Sequence, residues 1–84
     1  MDNVLWLNKA ISKTGALNNG TEFCIKDLFD GVEWNALAVG ERLGFGRHFK
    51  NEVLEGHVPN VVYIGKAQNN SAKYRKVIHN NGTV

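Results

Sequence analysis

One cysteine, Cys24, and one proline, Pro59, are all that 84 residues contain of either type. A lone cysteine closes no disulfide within the chain and builds no cysteine-based zinc site, which fits a reducing compartment. Long apolar runs are missing too. Residues 4–7 fall far short of a membrane span, and Asp2 and Asn3 stand where a signal peptide carries its basic region. The expected setting is the cytoplasm, with no membrane partner. A chain this short buries only about 60–65% of the surface that it exposes when unfolded, which leaves little room for an enclosed active site. Its 43% hydrophobic and 21% charged residues are otherwise those of an ordinary globular protein.

A net charge of +2 conceals a division along the chain. Before Arg42 three bases face six acids, a balance of −3; from Arg42 onward seven bases face two acids, a balance of +5. Such a split suggests a face for polyanions in the second half. Chance clustering of charge on a short chain is the plainer reading of the same numbers.

Periodicity gives the elements. Asp2 or Asn3 caps a first helix running to Ser12 or Lys13, with Val4, Leu7, Ala10 and Ile11 on one stripe and Gly15 as its stop. Leu5 and Trp6 lie partly outside that stripe. They form either a homodimer surface or, for Trp6, a contact back onto its own core. Asn18-Asn19-Gly20 is a turn, after which alternation places Phe23 and Ile25 on one face of a short strand. Asp27 is read as the N-cap of a second helix that Leu28 and Phe29 begin, Gly31 interrupts, and Trp34 and Leu37 resume. A third helix runs from Gly40 or Glu41 to Glu55, with Phe45, Phe49 and Val53 inward and Gly56 as its stop. Pro59 marks a connector, residues 61–66 and 72–78 read as a β-hairpin with a basic stem, and residues 79–84 as a loose tail after a single domain over 1–78.

Helix, short strand, helix, helix, hairpin is the α+β layout of a winged helix-turn-helix. The third helix turns Arg47, His48, Lys50 and Asn51 away from its core side, and the hairpin adds Lys66, Asn69, Asn70, Lys73, Arg75 and Lys76. A helix fits the major groove of double-stranded DNA, where Arg pairs with guanine and Asn with adenine, while wing lysines contact phosphates. The function expected is that of a small DNA-binding regulator, and the alternative is a protein-interaction module, an inhibitor or adaptor from a mobile element, binding an acidic protein surface. Each residue also has a plainer reading: a solvated helix face for Arg47, Lys50 and Asn51, protection of an edge strand for Lys73, Arg75 and Lys76. Arg42, nearer the core side, is expected to pair with a carboxylate or to pack its stem. Tyr63 and Tyr74 are either stacking platforms for single-stranded nucleic acid or cross-strand core partners.

Other motifs point to no chemistry. Gly44-Phe45-Gly46 would need a glycine at position 49 to approach a dinucleotide fingerprint, and Phe49 stands there. These glycines are read instead as permitting close helix packing. Cys24 sits in an apolar strand as a core residue. His48, His57 and His79 lack the spacing of metal ligands, and Asp27, Asp30 and Glu33 read as capping and surface groups. No cofactor, metal or enzymatic constellation is expected.

Over most of its length the chain resembles a small uncharacterised single-domain family of Gram-positive bacteria and their phages and plasmids. The resemblance is carried by Phe23, Lys26-Asp27-Leu28-Phe29, Trp34, Gly40-Glu41-Arg42-Leu43, Phe45-Gly46, Phe49, Val53, Gly65-Lys66, Asn70 and Tyr74. It implies a compact winged-helix-like fold and nucleic-acid binding, and supplies no enzymatic residue to transfer.

Overall fold

The computed structural model describes residues 2–78; His79 and the tail expected over 79–84 lie outside the described residues. Helix α1 spans Asn3–Gly15, and the Asp2 carboxylate accepts from the amides of Val4 and Leu5 at 3.0 and 3.1 Å, satisfying two donors that the first turn leaves open. Its inward side is Ala10 and Thr14, flanked by Trp6, Leu7 and Ile11. Trp6 packs on Phe29, ring centroids 4.7 Å apart, and meets Phe45 edge-on at 6.2 Å. The indole therefore belongs to the core, whereas Leu5 and, against the expected stripe, Val4 remain exposed.

A turn at Gly20, with φ of +87°, leads into strand β1, Glu22–Cys24. The second helix departs from the sequence reading. Asp27 is not an N-cap: it lies inside a 3-10 turn, Ile25–Leu28, whose N-cap is Cys24, and accepts from the Cys24 amide at 2.8 Å, and Phe29 is extended. Helix α2, Gly31–Asn35, starts at its own cap, Asp30, whose carboxylate accepts from the Val32 amide at 2.8 Å. Two aspartates three apart are each candidate caps by residue type, and extension at Phe29 lets its ring enter the core and stack on Trp34 at 5.7 Å.

Helix α3 spans Val39–Leu54 and ends before Gly56, whose φ of +79° suits a residue without Cβ. Phe45, Phe49 and Val53 are its buried row, as their spacing requires. Gly44 and Gly46 play no part in that packing, because a Cβ built at either would meet nothing within 4 Å. Val58 is buried beyond the helix, and strands β2, Val61–Lys66, and β3, Ala72–Lys76, follow. The sheet is antiparallel in the order β1-β3-β2. Tyr74 lies at its centre, 1% exposed, against Phe23, Tyr63 and the edge of Phe49. Burial drives the Tyr74 phenol and the Cys24 thiol above their ordinary pKa values, which suits core groups. Among the described residues no helix is long and apolar enough to cross a membrane.

Candidate nucleic-acid interface

Two regularities of the hairpin sort its cations. Side chains alternate along a strand, so Tyr74 facing the core carries Lys76 with it and turns Lys73 and Arg75 to the other face. Lys76 is accordingly 4% exposed, and its ammonium donates to the Thr14 carbonyl in the last turn of α1, where the helix dipole favours a cation. It is a structural tie between β3 and α1, and its expected place in a solvent-facing stem is corrected. On the opposite face Glu22 of β1 meets Arg75 at 2.7 Å and Lys73 at 3.2 Å. Their hydrogen bonds, that of Arg75 first, hold the Glu22 carboxyl below the usual glutamate range. Two bases sharing one acid leave that trio at a net charge of +1.

The second regularity is a bulge. Tyr63 pairs with Tyr74, but Gly65 rather than Ile64 pairs with Lys73, and Lys66 then stands opposite Ala72. One extra residue reverses the alternation, so Lys66 shares the face of Ala72 and Tyr74 instead of that of Lys73. Gly65 takes a φ of +116° there. Only glycine adopts that conformation readily.

Lys66 is thereby brought to a groove of about 530 Å³ between α3 and the hairpin. Arg42, Arg47 and Lys50 line the opposite wall at i, i+5 and i+8 of α3, with Asn69 and Asn70 at the hairpin loop. No aspartate or glutamate is among the lining residues. Among the described residues Arg42, Arg47, Lys50 and Lys66 form no ion pair, although Lys9, Lys73 and Arg75 do. The Lys50 ammonium sits 4.5 Å from the Tyr63 ring centroid, a cation–π contact that holds a flexible side chain across the groove.

Of the residues that the sequence singled out, Arg47, Lys50, Lys66, Asn69 and Asn70 are brought together. Asn51 is exposed on α3 but does not line the groove, and His48 is half-buried with its ring 6.5 Å from that of Phe45. Lys73, Arg75 and Lys76 are engaged elsewhere. The residue missed is Arg42: it lines the groove, pairs with no carboxylate among the described residues, and leaves its Nε buried without a hydrogen-bond partner. The row Arg42, Gly46, Lys50 at i, i+4 and i+8 was the available signal, since a glycine between two cations opens a channel beside the core stripe.

A separate cluster at the end of α3 was not anticipated from spacing. His57 Nδ1 lies 2.6 Å from a Glu52 oxygen and 3.7 Å from one of Glu55, and the three ligand-type atoms fall within 4.8 Å of one another. The hydrogen-bond contact between the imidazole and Glu52 accounts for that geometry, and His57 and Glu55 are exposed.

Comparison with known proteins adds three findings. The family described as a domain of unknown function, DUF1413, matches residues 8–76. No curated protein matches the chain. A solved structure described as an SCCmec type IV LP1413 nucleic acids binding protein is similar, with a TM-score of 0.68 at 20% identity, over 93% of this chain and 96% of the other. At that identity the likeness is one of fold: mixed α and β, with helices on a small antiparallel sheet.

Proposed function

The chain belongs to the DUF1413 family, and from that premise we propose that it is a non-enzymatic nucleic-acid-binding protein, a small DNA-binding regulator built as a winged helix. In this reading α3 enters the major groove of double-stranded DNA and the β2–β3 hairpin is the wing along the backbone. The observation that carries the reading is the groove itself: four cations from a helix and a strand converge on it, and among the described residues no lining carboxylate offsets them. Cations without protein counter-charges are available to phosphates, and each phosphate neutralised releases counterions. The nucleic-acid binding attributed to the structurally similar protein supports the same direction.

The test is fluorescence anisotropy with duplex DNA, single-stranded DNA and RNA of one length across a salt series. Duplex binding at low salt, falling steeply as salt rises, is expected. Its absence at low salt overturns the proposal.

Val39 and Leu43 line the groove and are exposed, as is Leu54 on the same helix, an apolar margin that favours the second reading, an acidic protein partner. Pull-down with and without nuclease separates the two, because an association carried by nucleic acid disappears on digestion.

A further inference from the structure

We infer that the groove between α3 and the hairpin receives one nucleotide unit, its phosphate taken by Arg42 and its base laid along the apolar wall. The inference rests on the nucleic-acid reading and names what enters the groove rather than what lies across its rim.

Arg42 is the starting point. A guanidinium carries five N–H donors and keeps its charge at any relevant pH. Burying part of one without an acceptor is unfavourable, and such groups are rare enough in folded proteins to require an explanation. Here Nε is buried without a partner, and no aspartate or glutamate lines the groove that Arg42 faces. No protein counter-charge sits beside Arg42 in the groove, and Arg47, Lys50 and Lys66 add to the pull on any anion that enters. Phosphate matches the guanidinium fork through paired charge-assisted hydrogen bonds.

The rest of the lining describes what the phosphate is attached to. Ile25, Trp34, Val39, Leu43 and Tyr63 supply an apolar and aromatic wall, and Asn69, Asn70 and Ser71 supply hydrogen-bonding groups at one end. A flat heteroaromatic base with polar edges fits that combination. The volume of about 530 Å³ lies within the range of roughly 300–1,000 Å³ usual for small-ligand sites, whereas a duplex is far too wide to enter. Open space lies beside Gly46, where a Cβ would meet nothing within 4 Å, so a larger side chain placed there projects into the channel. The unit is either a free mononucleotide or an unstacked residue of a strand; both present the same phosphate and base.

The arginine Nε–H gives a direct reporter by nuclear magnetic resonance on the unaltered protein. Adenosine 5′-monophosphate, inorganic phosphate, a single-stranded oligonucleotide and a duplex are titrated separately, and the Arg42 Nε–H and the Asn69 and Asn70 signals are followed. Shifts with the monophosphate support a free-nucleotide site, and shifts with the single strand alone support a strand-borne one. Arg42→Gln is expected to weaken that binding about tenfold, as loss of a charge-assisted hydrogen bond requires. Gly46→Leu, which fills the channel and alters no charge, is expected to abolish it with amide dispersion intact. Unmoved signals under both nucleotide ligands while the duplex still binds would overturn the inference and leave the nucleic-acid reading standing, as would inorganic phosphate binding as tightly as the monophosphate. Failure of every nucleic acid to bind, duplex included, removes both together.

Discussion

The two faces of one hairpin both carry cations and differ in how far carboxylates offset them. On the outer face Lys73 and Arg75 converge on Glu22 of the neighbouring strand, whereas on the inner side Lys66 looks across a groove to Arg42, Arg47 and Lys50 with no carboxylate among the described lining residues. Counting bases in the sequence treats these faces alike. What separates them is strand alternation, one bulge, and one glutamate brought 53 residues along the chain to its partner arginine. A basic half of a chain is therefore not a basic surface until pairing has been taken into account.

The comparison breaks most sharply at the groove. Arg47→Ala and Lys50→Ala together should lower duplex affinity by at least tenfold, since each side chain that grips the duplex is worth about 1–3 kcal/mol, with an unchanged circular dichroism spectrum. Lys73→Ala should do less in the same assay, because its ammonium is paired with the carboxylate of Glu22, which it shares with Arg75. Next in size is Lys76→Ala, whose effect falls on stability. The variant loses the buried charge-assisted hydrogen bond to the Thr14 carbonyl, which keeps the Leu17 amide as donor, and this should cost about 1–3 kcal/mol in chemical denaturation. Gly65→Ala forces a side chain into a φ of +116°, at a cost of order 1–3 kcal/mol. It should also weaken duplex binding if the bulge relaxes and Lys66 returns to the outer face.

Glu22→Gln sharpens the contrast from the other side. It releases Lys73 and Arg75, so affinity for any duplex should rise a few-fold and the salt dependence should steepen by up to about two phosphate contacts. The same carboxylate carries a small pH dependence. Its pKa is depressed in the folded protein, so its contribution to stability is present above the ordinary glutamate pKa and fades as pH falls through the lower folded value. Denaturation of the wild type relative to Glu22→Gln should show that difference shrinking below about pH 4, modestly, because the ion pair is solvent-exposed.

Much of the scaffold was legible in residue spacing. Phe45, Phe49 and Val53 fixed the inward row of α3, and with it the outward placement of Arg47 and the groove-side placement of Lys50. Tyr74 was enough to turn Lys76 inward by the period of a strand, had alternation been applied to the cations as it was to the apolar residues. The bulge was not legible, since Gly65 marks a permissive backbone without stating which residue is extra. Nor was the Glu22 pairing, which depends on strand order, or the start of α2, where by residue type Asp27 and Asp30 are equal candidates and tertiary packing of Phe29 favours Asp30.

The most direct test is the slope of log affinity against log salt for one duplex, measured for the wild type, for Arg47→Ala/Lys50→Ala/Lys66→Ala, and for Lys73→Ala/Arg75→Ala. The groove account predicts that the first variant lowers the slope by about three units and the second leaves it nearly unchanged. Equal reductions, or a larger one for the Lys73 and Arg75 variant, would contradict it.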